Sequence, residues 1–328
     1  MNRPDGLALG LGGAPLGNLF AAVDDEAAAT TVEAAWAAGV RFFDTAPHYG
    51  LGLSERRLGR ALAGRPRAEY VVSTKVGRLL VPNEHPVGSD LAEGFAVPDD
   101  LRRQRDYSRD GVLRSVEESL GRLGLDRLDV VLVHDAEEHL EEALSAAVPA
   151  LAELRDQGVV GAIGAGMNLV EPLRRFVEAG VDTVMVAGRW TLLDRSAATL
   201  MAACAARGVA VLAAGPFNSG LLAEPWPPDD GRFDYAGAPA ELLARARELA
   251  AVCRAHGTTL PAAALGFPLR HPAVAYVVAG LRTPEEVRLA ASRSGEALPE
   301  GLWHELDAVV AGAATGAATA SASAKVSR

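Results

Sequence analysis

The chain has 328 residues, 49% of them apolar, enough for one large α/β domain or two smaller ones. A net charge of −10 without a basic cluster excludes a nucleic-acid surface. No apolar run approaches the roughly 18 residues of a membrane span, and the first residues lack a charged-then-apolar leader pattern. Cys204 and Cys253 lie in helix-like segments without metal spacing and read as small buried apolar residues. Together these features lead us to expect a reduced, cytoplasmic setting.

Short β-rich runs alternate with longer helical patterns along the chain. The run at 7–12 precedes a helix that Asp24 and Asp25 can cap and that Gly39 ends. Runs at 40–44 and 70–75 follow, the second ending on Lys75. A long loop, 77–109, leads to a helix at 110–123 stopped by Gly124. The run at 129–134 precedes an acidic-faced helix, 140–157, ended by Gly158. Further runs lie at 159–165, 183–187 and 209–214. A second long loop, 224–239, carries Trp226, Pro227, Pro228, Phe233 and Tyr235. After the last run, 275–279, Thr283-Pro284-Glu285-Glu286 forms a capping box with proline at the first helical position. The final residues, 311–328, are rich in Ala, Gly, Ser and Thr and are expected to be disordered, leaving a domain at 1–310.

Eight nearly all-apolar runs, each followed by a helix, predict a single-domain (β/α)8 TIM barrel. A doubly wound open sheet is the alternative, but no GxGxxG follows the first run. In a barrel, chemistry gathers at the C-terminal ends of strands, and long loops there shape the mouth. Those ends carry Asp44, Tyr49 just beyond it, Lys75 and His134. Lys75 is one of two lysines among 32 basic residues, and the other, Lys325, lies in the tail. Arginine stays protonated, whereas a lysine ammonium is a compact charge tuned by its neighbours. A tyrosine titrates near pH 10. An adjacent ammonium lowers that value, and a carboxylate keeps the ammonium charged and oriented. A neutral histidine can donate to the same substrate oxygen. Singly, Asp44 reads as a loop cap, Tyr49 as a rim aromatic and His134 as a structural histidine; their convergence on one mouth favours catalysis.

The segment Phe42-Phe43-Asp44-Thr45-Ala46-Pro47-His48-Tyr49-Gly50-Leu51-Gly52-Leu53-Ser54-Glu55-Arg56-Arg57-Leu58-Gly59 closely resembles the signature of the aldo-keto reductases. Ser73-Thr74-Lys75, Leu132-Val133-His134 and Gly164-Ala165-Gly166-Met167-Asn168 are similar to further motifs of that family. The resemblance implies a catalytic tetrad of Asp44, Tyr49, Lys75 and His134, no metal, and NAD or NADP lying extended across the mouth. It implies cofactor contacts from Asn168, from Gly215, Pro216, Phe217, Asn218, Gly220 and Leu221, and from Gly280, Arg282, Thr283 and Glu286. His48, Trp190 and Trp226, with the 77–109 loop, are candidates for the substrate pocket by position.

Four places depart from the family pattern. Ala187 stands where a glutamine commonly holds the nicotinamide amide, leaving Asn168. Ala214 stands where a tyrosine commonly stacks on the ring, with Trp190 or Phe217 as candidates to cover it instead. Near the adenosine phosphate, Glu286 accompanies Arg282; a carboxylate repels a 2′-phosphate and accepts from a free 2′-hydroxyl, so NAD is favoured. The competing reading is that Glu286 only completes the capping box. Leu289 and Ala290 replace common polar adenine contacts.

Ala14-Pro15-Leu16-Gly17-Asn18-Leu19-Phe20, Ala46-Pro47-His48-Tyr49, Asp106-Tyr107-Ser108-Arg109-Asp110-Gly111 and Phe217-Asn218-Ser219-Gly220-Leu221-Leu222 resemble the branch containing aldose 1-dehydrogenases and pyridoxal 4-dehydrogenases. The resemblance therefore implies oxidation of a cyclic hemiacetal, an aldose or pyridoxal, to its lactone. A general NADPH-dependent aldehyde reductase and a non-catalytic cofactor-binding regulatory subunit are the alternatives. The expected partner is a small sugar or aldehyde, with no nucleic acid or membrane. No heptad or hydrophobic seam points to an obligate assembly.

Overall fold

A computed structural model describes residues 6–325, with side chains as far as Gly312. Eight parallel strands close into a barrel: β1 (Leu9–Gly12), β2 (Phe42–Asp44), β3 (Val71–Val76), β4 (Leu128–His134), β5 (Val160–Met167), β6 (Thr183–Ala187), β7 (Ala210–Ala214) and β8 (Val274–Gly280). Each pairs with its sequence neighbours, and β8 returns to β1 through Leu9↔Val277 and Gly12↔Gly280. The architecture is the expected TIM barrel, not the open sheet. Strands covered on both faces must be apolar on both, which is why β3 is buried along its whole length.

Alternation along the strands sorts the core into two layers. Val130 and Leu132 of β4 point inward with Phe42, Met185, Leu212 and Val278. Val131 and Val133 point outward to pack with the helices, alongside Val116, Leu151 and Phe176. Inside the barrel, Phe42 and Tyr276 stack with ring centroids 4.4 Å apart. Burying each large apolar side chain contributes about 1.5–3 kcal/mol, so this filled interior makes a rigid base for the mouth.

The helices begin and stop at the expected signals. Asp24 accepts from the Ala27 amide at 2.7 Å and starts Asp25–Ala37. Ser108 caps Arg109–Leu123, and Gly124, with φ 66°, ends it. The acidic-faced helix is Leu140–Glu142, a π turn at Ala143–Ala147, and Val148–Asp156. Only half of the capping box forms at Pro284–Ser294: Thr283 accepts from Glu286 N–H, while the Glu286 carboxylate accepts from Arg282 N–H, one residue before the cap, at 2.7 Å.

Both long loops contain more structure than expected. The 77–109 stretch holds an antiparallel hairpin, Arg78–Pro82 against Leu101–Arg105. Its second strand is rich in arginine and reads as polar, but Leu80, Phe95 and Val97 pack with Leu51 and fold the excursion back onto the mouth. The 224–239 stretch makes a small hairpin, Arg232–Phe233 and Ala236–Gly237, whose two turn residues, Asp234 and Tyr235, both have positive φ, as a tight hairpin turn requires. An added helix, Ala240–Ala255, packs with Leu260–Leu269 and the C-terminal helix around Leu249, Phe267 and Trp303. That last helix spans Glu300–Lys325 and enters the segment expected to be disordered. From 313 on, the side chains of that segment lie outside the described residues. Among the described residues no helix is long and apolar enough to cross a membrane, and Cys204 and Cys253 are free and buried.

Candidate active site

Strands β2, β3 and β4 end side by side, and their register brings Asp44, Lys75 and His134 to one mouth. Lys75 Nζ donates to both oxygens of Asp44 at 2.9 and 2.8 Å, to the Thr45 carbonyl at 2.9 Å and to the Tyr49 hydroxyl at 3.1 Å. Lys75 and Asp44 are 2% and 3% exposed, so this ion pair is dry. An ammonium only donates. The Tyr49 hydroxyl therefore accepts from Lys75 and keeps its own proton for whatever lies in the mouth. Gly50 makes room beneath Tyr49: a Cβ there would collide with the Gly17 carbonyl.

Burial sets the charge states. It works against the Lys75 ammonium, but Asp44 and Tyr49 outweigh it and hold the lysine above its ordinary value. Burial pushes Asp44 upward while the Lys75 charge pulls it down. It also pushes the Tyr49 phenol up to about 12; Lys75 pulls the other way, as expected, but does not prevail. His134 is held well below the usual histidine range, first by burial and then by Lys75 and Arg78, so its imidazole is neutral. Its ring stands edge-on to Tyr49, with centroids 6.1 Å apart.

A ring of residues holds this set in place. The Tyr107 hydroxyl is shared between the carbonyls of His134 at 2.7 Å and Asp135 at 3.0 Å. Gly77, at φ 105°, must lack a side chain because a Cβ would strike the Tyr107 ring. Asp135 takes a positive φ and is bonded by Arg78 at 2.6 Å. Arg103 grips both oxygens of Asp90 at 2.6 Å and donates to the His48 carbonyl at 2.8 Å. Phe95 packs edge-on to His48, centroids 5.1 Å apart. Sequence reasoning pointed to the 77–109 loop as a whole but singled out none of Phe95, Arg78 and Arg103, because the hairpin decides which of its residues reach the site; only Tyr107 lay within a recognisable motif.

The candidates for the substrate pocket separate. His48 joins the tetrad, its ring 6.0 Å from Tyr49 and 5.7 Å from His134. Trp190 packs instead against Phe267 and His271, at 5.4 and 5.6 Å, drawn into the apolar layer under the helices. Trp226 is half exposed beside Arg254, far along the excursion after β7. Phe217 packs into the two larger core clusters.

The other side of the mouth is built from small residues. Ala187 and Ala214 pair in register, both half-buried, and Gly188 and Gly215 continue them with positive φ. Asn168 is exposed at the end of β5, next to Ala187 in the register that pairs Met167 with Val186. Small residues and an exposed amide thus stand together at this side of the mouth. In the next turn Gly220 is exposed, Pro216 and Leu221 are buried, and Asn218 turns inward to donate to the Gly188 carbonyl at 3.1 Å. Beyond β8, Gly280 is exposed, Thr283 caps its helix, and the Arg282 guanidinium donates to the Leu19 carbonyl at 2.7 Å.

Comparison with known proteins bears on the family and the fold. The Aldo/keto reductase family model matches residues 8–311. A D-threo-aldose 1-dehydrogenase of a Pseudomonas species is 51% identical, covering 91% of this chain and 92% of that protein. A pyridoxal 4-dehydrogenase of Microbacterium luteolum is 39% identical, with 91% and 92% covered. A solved glycerol dehydrogenase from Gluconobacter oxydans shares the fold with a TM-score of 0.72 at 23% identity, covering 94% of each chain. With the barrel, its mouth and these relatives in agreement, the chain belongs to the aldo/keto reductase family and is an oxidoreductase.

Proposed function

We propose that this enzyme oxidises a cyclic hemiacetal, an aldose or pyridoxal, to its lactone with NAD or NADP, and that it favours NAD. The observation that carries the reading is the Tyr49 hydroxyl, charge-tied to buried Lys75 and facing a neutral His134. The two relatives named above act on an aldose and on pyridoxal, both of which can close a hydroxyl onto their aldehyde to form a hemiacetal.

In this mechanism His134 donates to the reacting oxygen and fixes it beside Tyr49. Tyr49, as phenolate, takes the proton from the anomeric hydroxyl. Lys75 stabilises that phenolate, and Asp44 keeps Lys75 charged and aimed. An oxidised nicotinamide cofactor, when bound, would supply the acceptor for the anomeric hydride. Asn168 with Ala187 and Ala214 would hold its ring, and Arg282 with Glu286 would meet its adenosine end. Because burial pushes Tyr49 up to about 12, little phenolate exists at neutral pH and its share grows about tenfold per pH unit.

The same protonated phenol supports a second reading, reduction of aldehydes, in which Tyr49 donates its proton to the carbonyl oxygen. Reduced-nicotinamide absorbance separates the two. Formation of the reduced cofactor from one aldose or from pyridoxal, faster as pH rises, carries the dehydrogenase reading. No oxidation of any sugar, with rapid consumption of the reduced cofactor by unrelated aldehydes, sinks it.

A further inference from the structure

His48 has hydrogen-bonding capacity that the folded protein leaves unspent. Its carbonyl is held by Arg103, but its buried Nδ1 has no hydrogen-bond partner among the described residues. The ring is fixed, with Phe95 edge-on at 5.1 Å and the Arg103–Asp90 pair anchoring the main chain behind it. A buried polar atom left unpaired is costly, so a rigid imidazole in this condition, facing Tyr49 and His134, is poised for a ligand. Burial, with Arg78, Arg103 and Lys75 nearby, pushes it down to about 2, so it stays neutral and offers one N–H and one lone pair.

The partner must be a different oxygen from the reacting one. That oxygen is already engaged on both sides, its proton going to the Tyr49 phenolate and a lone pair accepting from His134. The anomeric carbon has two other neighbours, the ring oxygen and the carbon bearing the 2-hydroxyl. The ring oxygen delocalises its lone pair as the lactone forms, so a contact there would weaken toward the transition state. A hydroxyl keeps its donor and its acceptor throughout, and such contacts favour turnover. Resting on the aldose form of the hemiacetal reading, since pyridoxal has no hydroxyl at that carbon, we propose that His48 is the residue that selects substrates bearing a hydroxyl on the carbon next to the oxidised one.

The test compares kcat/KM for an aldopyranose and its 2-deoxy analogue in the wild type, His48→Phe and His48→Gln, with thermal unfolding as a fold control. The wild type is expected to prefer the hydroxylated sugar at least tenfold, roughly the minimum for a site built around a hydroxyl. His48→Phe is expected to bring the ratio within about threefold of one, and His48→Gln, which keeps a donor and an acceptor, to restore part of it. An unchanged ratio in His48→Phe overturns the inference whatever happens to absolute rates, as does a wild type indifferent to the 2-hydroxyl. If the wild type oxidises neither sugar, the hemiacetal reading fails separately. Calorimetric titration of both sugars into cofactor-loaded enzyme then still decides the role of His48, and equal or undetectable affinities overturn it.

Discussion

At the ends of β2, β3 and β4 the mouth is lined by buried polar side chains bonded to one another, whereas at the ends of β5, β6 and β7 it is lined by Ala187, Gly188, Ala214 and Gly215 with Asn168 at the edge. The first half is filled and dry; the second is a bare floor. Proton transfer needs groups fixed in place before substrate arrives, because reorientation during reaction costs rate. A bulky flat cofactor needs the opposite, a surface from which side chains have been removed.

The largest test of this contrast removes the proton donor. Tyr49→Phe is expected to cut kcat by about 10²–10⁴ while leaving cofactor affinity, read by fluorescence quenching, within a few-fold. Asp44→Asn strands the Lys75 ammonium in a dry site. Breaking a buried pair this way costs about 3–5 kcal/mol, so a clear drop in melting temperature should accompany the loss of turnover. An Asp44→Asn protein that melts like the wild type would mean that the pair is solvated.

Acid provides an intermediate perturbation. His48 and His134 are held below the ordinary histidine value in the fold, His48 at about 2. Unfolded histidines take up protons near pH 6.5. Below that pH the unfolded chain therefore binds more protons, and stability should fall steadily as pH drops. The urea midpoint measured from neutral pH downward checks this, and His48→Gln should make the slope shallower.

The smallest expected effects lie on the bare side. Ala214→Leu fills the floor and should raise the KM for cofactor several-fold without lowering the melting temperature. Glu286→Gln removes the charge that we propose opposes a 2′-phosphate but keeps the contact to Arg282 N–H. A modest gain in NADP use relative to NAD is expected, and equal ratios before and after would assign Glu286 to capping alone.

Much of the fold and the charged half of the site were legible in the chain. The barrel follows from apolar runs such as 70–75 and from helix stops such as Gly39 and Gly124, since both signals are local. Asp44, Lys75 and His134 were found because strand ends in a barrel share one face. The first run was expected from residue 7, yet β1 starts at Leu9, because the Leu7 amide bonds the Gly39 carbonyl outside the ladder. Trp190 looked equally placed by position, but an indole goes where apolar area can be buried, and Phe267 supplied it.

By itself, then, the sequence determined the eight-fold alternation, the caps, and a lone lysine in the body of the chain at the end of an apolar strand, all set by chemistry within a few neighbouring residues. Only the tertiary structure decided that the arginine-rich 77–109 stretch folds back as a hairpin, bringing Arg103 and Phe95 against His48. It also decided that burial outweighs Lys75 in setting the Tyr49 proton. Desolvation and long-range packing depend on which atoms exclude water from one another, and that is settled when the barrel closes.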